Sequence, residues 1–150
     1  MLWDAILAYL HLLSAGAAAA FKVTEHWLLA RPPDRLQVRL LGQVRLGYLL
    51  GITSVLATGL VNLEAWRVAP VVPAGTSLLG LKVGLFVLLV LLAVPTTRTV
   101  VRWNREARSA PAFAPSLRDL EALRATISLE IGLLALLPLP AVMLSPGAGY

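Results

Sequence analysis

Residues 77–93 read SLLGLKVGLFVLLVLLA, and a run of that length and apolarity has few places to go. About 20 residues of helix cross the roughly 30 Å hydrocarbon core of a bilayer. Inside lipid every backbone N–H and C=O must be satisfied within the segment, so such a run is a helix. Similar runs recur along the chain and place helices at 3–29, 36–65, 77–103 and 116–143, with a tail at 144–150. Arg31-Pro32-Pro33, a loop holding Pro70, Pro73 and Gly75, and the linker NREARSAPAFAP separate them. Asp34 reads as a cap for the second helix, Ser116 and Asp119 as a capping box for the fourth, and Pro95 as a kink in the third. The expected fold class is all-α: one domain over residues 1–150, an integral membrane four-helix bundle running up-down-up-down.

Composition agrees. Of the 150 residues, 58% are hydrophobic and 14% charged, against about 25% charged in soluble domains. Mean hydropathy is +0.78. The net charge of +5 raises the question of nucleic acid. The basic residues lie at span ends rather than on a separate basic helix, so nucleic acid is not an expected partner and the lipid bilayer is. No cysteine is present, which excludes disulfides, thiolate metal sites and iron–sulfur clusters. The first apolar run has no positive region before it, the first charge being Asp4, so it reads as a retained helix rather than a cleaved signal.

Charge also gives orientation. Lys22, Arg31, Arg35, Arg39 and Arg45 belong to the first connection and Arg98, Arg102, Arg105, Arg108, Arg118 and Arg124 to the third; Arg67 and Lys82 alone lie on the other side. The positive-inside rule puts the basic connections in the cytoplasm and both termini outside, in a bacterial inner membrane. Trp3 and Trp66 then mark the outer interface, and Trp27 and Trp103 the inner one. Small residues offer packing faces: Ser14–Ala20, Gly47 with Gly51, Gly80 with Gly84, and Gly132 with Ala135. Such Gly/Ala faces also suit a homo-oligomer.

An ionisable residue inside a span costs about 2.5–3.5 kcal/mol at the centre on insertion scales, so each needs a reason. His11 and Lys82 fall at similar depth in the outer half of helices that run in the same direction. A neutral imidazole and a desolvated amine could be the two axial ligands of one haem b, with Arg67 placed for a propionate and Met143 a weaker second ligand. The alternative is plainer: Lys82 snorkels to the interface and His11 hydrogen-bonds a neighbouring helix. Lys82 lies opposite Gly80 and Gly84, so inward packing of those glycines would turn it outward. On helix 1, His11, Ala18, Lys22 and Glu25 share one stripe. Lys22 and Glu25 can pair at i,i+3, either as an interfacial ion pair or, with His26, as a cytoplasmic-side polar pocket. Glu130 in helix 4 must be protonated, paired or facing a cavity. It reads as a structural hydrogen bond or as a proton-relay acid.

The stretches YLHLLSAG, EHWLLARPPD, LATGL, LKVGLFVLLVLLAVPTTRTVVRW and SLEIGLLALLPLPAVML resemble an uncharacterised bacterial family of four-helix inner-membrane proteins over nearly the whole chain. That family is distantly similar to HemJ-type protoporphyrinogen oxidases and CopD-type membrane proteins. The HemJ-type resemblance implies a haem b in the bundle, its helix-1 histidine at His11 and its helix-3 lysine at Lys82. Three functions follow as expectations. One is haem-based electron transfer, or oxidation of a membrane-soluble substrate, with a redox partner. The second is a cofactor-free subunit of a larger membrane complex. The third is a proton-coupled transport component built on Glu25 and Glu130.

Overall fold

A computed structural model describes residues 2–66, 73–110 and 113–139. Four helices follow one another: α1 (Leu2–Leu28), α2 (Arg35–Trp66), α3 (Pro73–Ser109) and α4 (Leu117–Leu136). Their starts follow from local chemistry. Asp34 Oδ1 accepts from the Gln37 N–H at 2.8 Å, and Gln37 Oε1 accepts in turn from the Asp34 N–H at 3.1 Å, a reciprocal cap that launches α2. Ser116 caps α4 by accepting from the Asp119 N–H at 3.1 Å. Asp119 does not complete the expected box; its carboxylate takes Arg102 Nη2 of α3 at 2.7 Å. The helix α3 continues through Pro95. Proline there supplies no N–H to the turn before it, and the Thr97 hydroxyl donates to the Ala93 carbonyl at 2.6 Å.

Neighbours in sequence are neighbours in space. The helix α1 packs on α2 and α4, and α3 packs on α2 and α4, leaving α1 and α3 diagonal. The buried residues recur at steps of three and four: Ala18, Lys22, Glu25, Leu29; Val38, Leu41, Arg45, Tyr48, Ile52; Leu89, Ala93, Thr96, Val100, Trp103, Ala107; Leu120, Leu123, Ile127, Glu130, Leu133. That alternation is the seam of bundle packing, in which ridges of one helix enter grooves of the next. Two apolar cores result. One lies by the α1–α2 and α3–α4 connections and holds Leu29, Leu41, Trp103, Leu120 and Ile127. The other lies deeper and holds Ala18, Tyr48, Ile52, Leu89 and Leu133.

Among the described residues, three helices are long and apolar enough to cross a membrane, over Ala5–Leu28, Arg35–Val61 and Gly80–Ser109. The fourth expected span, 116–143, runs beyond the described residues of α4. Its described turns carry Arg118, Asp119, Glu121, Arg124 and Glu130, and several of these bind the other helices. Arg124 Nε, for example, donates to the Leu29 carbonyl that ends α1, at 2.6 Å.

Two packing expectations also change. Gly47 and Gly51 do pack as expected: a Cβ on Gly47 would sit 2.6 Å from the Phe21 ring, and one on Gly51 3.1 Å from the Ala18 Cβ. Gly80 and Gly84 meet nothing within 4 Å. That face of α3 looks away from the bundle, so Lys82, on the other side of the helix, is turned partly inward and is half-buried. Trp103 is not an interfacial belt residue. It is 1% exposed and packs in the first core against Phe113, ring centroids 6.4 Å apart, because its position falls on the seam of α3. Trp3 and Trp27 are exposed.

Candidate functional site: a buried ionic layer

Between the two apolar cores, the seam positions of all four helices turn polar at one level. Lys22 and Glu25 come from α1, Arg45 and Tyr48 from α2, Thr96 from α3 and Glu130 from α4. Lys22, Glu25, Tyr48 and Glu130 are fully buried, and Arg45 and Thr96 nearly so. Lys22 sits about 9 Å from the Leu28 end of α1, well inside its apolar span.

Lys22 is shared. Its ammonium donates to Glu25 Oε2 at 2.7 Å and also contacts Glu130 Oε2. Arg45 approaches both acids from the far side, Nε 3.3 Å from Glu25 Oε1 and Nη1 3.7 Å from Glu130 Oε2. Thr96 Oγ1 donates to Glu130 Oε1 at 3.1 Å. The Tyr48 ring lies under both cations, 3.8 Å from Lys22 Nζ and 5.5 Å from Arg45 Cζ, an arrangement that favours positive charge where water is excluded. Two cations and two carboxylates make the layer neutral. Neutrality matters because desolvating a single ion costs several kcal/mol that only a partner offsets.

The layer is incompletely bonded by protein alone. Among the described residues, the three guanidinium nitrogens of Arg45, the Tyr48 hydroxyl and Glu25 Oε1 are buried without an aligned hydrogen-bond partner.

The other candidates fall elsewhere. His26 is exposed and takes no part in the layer, although the sequence reading set it in the same pocket. It follows Glu25 by one residue, which is about 100° around the helix. His11 is half-buried, and its Nδ1 lies 2.8 Å from the Thr58 hydroxyl of α2. Arg67 and Met143 lie outside the described residues. Among those residues, no group of three or more His, Cys, Asp or Glu side chains is arranged to hold a metal ion.

Sequence reasoning missed Arg45, Tyr48 and Thr96. Arg45 was counted with the basic connection, as an orientation signal. The spacing carried the information: Val38, Leu41, Arg45, Tyr48 and Ile52 step by three, four, three and four, which sets the arginine on a core seam rather than at a helix end. Leu89, Ala93, Thr96 and Val100 do the same for Thr96.

A family model described as "Predicted membrane protein (DUF2214)" matches residues 3–149. The chain belongs to that family. For DUF2214 the match spans every helix described above, so the layer lies wholly within the family's extent. Comparison with curated proteins and with solved structures finds no match.

Proposed function

We propose that the protein is a proton-coupled membrane component, with the ionic layer as the place where protons are taken up and released. One observation carries this reading: two fully buried carboxylates, Glu25 and Glu130, share one ammonium, Lys22, inside a membrane-spanning bundle. A purely structural pair needs one acid and one base. Here a proton arriving at either acid leaves Lys22 and Arg45 paired with the other, and the layer passes from neutral to a single positive charge that the Tyr48 ring helps to hold. Intramembrane acids of this kind mark ion and proton paths. In this reading the chain sits in a bacterial inner membrane with both termini outside, which the distribution of basic residues supports. The test is reconstitution into liposomes holding a pH-sensitive dye, with an imposed pH gradient. Wild-type protein should dissipate the gradient faster than empty liposomes, and Glu130→Gln should abolish the difference. Equal rates for the two proteins overturn the proposal.

A second reading concerns the other half of the bundle. The Thr58 contact engages His11 Nδ1 and, among the described residues, leaves Nε2 as the other ring nitrogen without a hydrogen-bond partner, the way outer-shell partners orient ligating histidines. The diagonal placement of α1 and α3 suits two axial ligands facing across a bundle. In this reading His11 and Lys82 would hold a haem b, as the HemJ-type resemblance implies. Haem bound there would supply one-electron redox chemistry; Thr58 would orient the imidazole, and Lys82 would have to give up its proton to ligate. Expression with ample haem should then yield a Soret band that His11→Ala removes. A colourless preparation would end this reading and leave the first untouched.

A further inference from the structure

The two oxygens of Glu130 have unlike neighbours. Oε2 lies against the Lys22 ammonium and Oε1 against the Thr96 hydroxyl. The same hydroxyl oxygen is 3.0 Å from the Ala93 carbonyl and 3.1 Å from that of Leu92. A hydroxyl carries one hydrogen and two lone pairs. It therefore cannot donate fully to Glu130 and to its own helix at the same time, and it can accept from one while donating to the other.

This matters when Glu130 gains a proton. With Lys22 still charged, Oε2 faces ammonium hydrogens, and a proton placed there would point at a cation. The proton belongs on Oε1, where it needs an acceptor, and Thr96 Oγ1 is already in hydrogen-bond contact. We propose that Thr96 is the positioning residue for the proton of Glu130, satisfying the carboxyl group in both of its charge states. This rests on the proton-coupled reading above. In the ionised state the hydroxyl donates to Oε1. In the protonated state Oε1–H donates to Oγ1, and the threonine hydrogen turns to the Ala93 carbonyl. One O–H bond forms on Glu130, its proton delivered by water, and otherwise only the torsion about the threonine C–O bond changes.

The groups facing Glu130 are Lys22 and Glu25 from α1, Arg45 and Tyr48 from α2, and Thr96 from α3. Protonation takes the layer from neutral to a single positive charge, which the Tyr48 ring beneath both cations helps to hold. Thr96 thus acts through Glu130 rather than on any transported species.

Infrared difference spectra of the purified protein in lipid, recorded across a pH titration, test this. The carboxylic C=O band of Glu130 is assigned by its loss in Glu130→Gln. Thr96→Ser should leave the band in place. Thr96→Val, which keeps the shape and removes the hydroxyl, should move it to higher wavenumber, as an acid that has lost its acceptor does. Thr96→Ala gives the same readout should the valine variant fail to fold. A band that stays put in both hydroxyl-free variants overturns the role of Thr96 and leaves the proton-coupled reading standing. A Glu130 band absent at every pH overturns both.

Discussion

At the residue scale, Lys22 is the most consequential side chain. It is fully buried and holds Glu25 and Glu130 at once. Lys22→Met keeps the length and removes the charge, leaving Arg45 alone against two buried acids. Breaking a buried pair by removing one partner typically costs about 3–5 kcal/mol, and a loss of that order is expected in denaturant or thermal unfolding in detergent. The double variant Lys22→Met with Glu130→Met removes one charge of each sign and leaves Arg45 with Glu25. It should be less destabilised than the sum of the single changes, by a coupling of about 0.5–3 kcal/mol. Strict additivity would mean that the two groups do not act as a pair, and the electrostatic account of the layer would fail.

At the element scale, the α1–α2 contact depends on backbones that approach closely. Gly51 leaves room for Ala18, and Gly47 for the Phe21 ring. Gly51→Val would push Cγ atoms into α1, where even a Cβ would already lie 3.2 Å from the Ala18 backbone. Overpacking of that kind costs about 1–3 kcal/mol. Gly84→Ala on α3 meets open space and relieves the conformational entropy of a helical glycine, a gain of about 0.5–1 kcal/mol. Thermal unfolding of the two variants side by side should lower the midpoint for the first and hold or raise it for the second. A marked loss in Gly84→Ala would mean that this face is covered by something in the folded protein.

At the scale of the whole molecule, the proposed orientation makes a labelling prediction. The chain has no cysteine, so single cysteines can be introduced at will. Both Leu2 and Ser109 are exposed. In intact cells a membrane-impermeant maleimide should label Leu2→Cys and spare Ser109→Cys until the membrane is opened. The reverse pattern would invert the topology. Several of the arginines behind this orientation also have internal partners: Arg124 caps α1, Arg102 pairs with Asp119, and Arg45 is buried in the layer.

The chain by itself determined the helices and their order, because apolar runs, prolines and caps act over a few residues. It also determined that Lys22, Glu25 and Glu130 needed partners, because burying a charge is costly wherever it occurs. The Lys22–Glu25 pair is local, at i,i+3, and only the tertiary structure decided that Glu130 and Arg45 join it. Gly47 and Gly51 turn out to pack, while Gly80 and Gly84, of identical spacing, do not. Trp103 and Arg45 look interfacial by position and are buried by rotation about the helix axis. That rotation is set by the summed packing of the two neighbouring helices, a long-range quantity that no local run of residues carries.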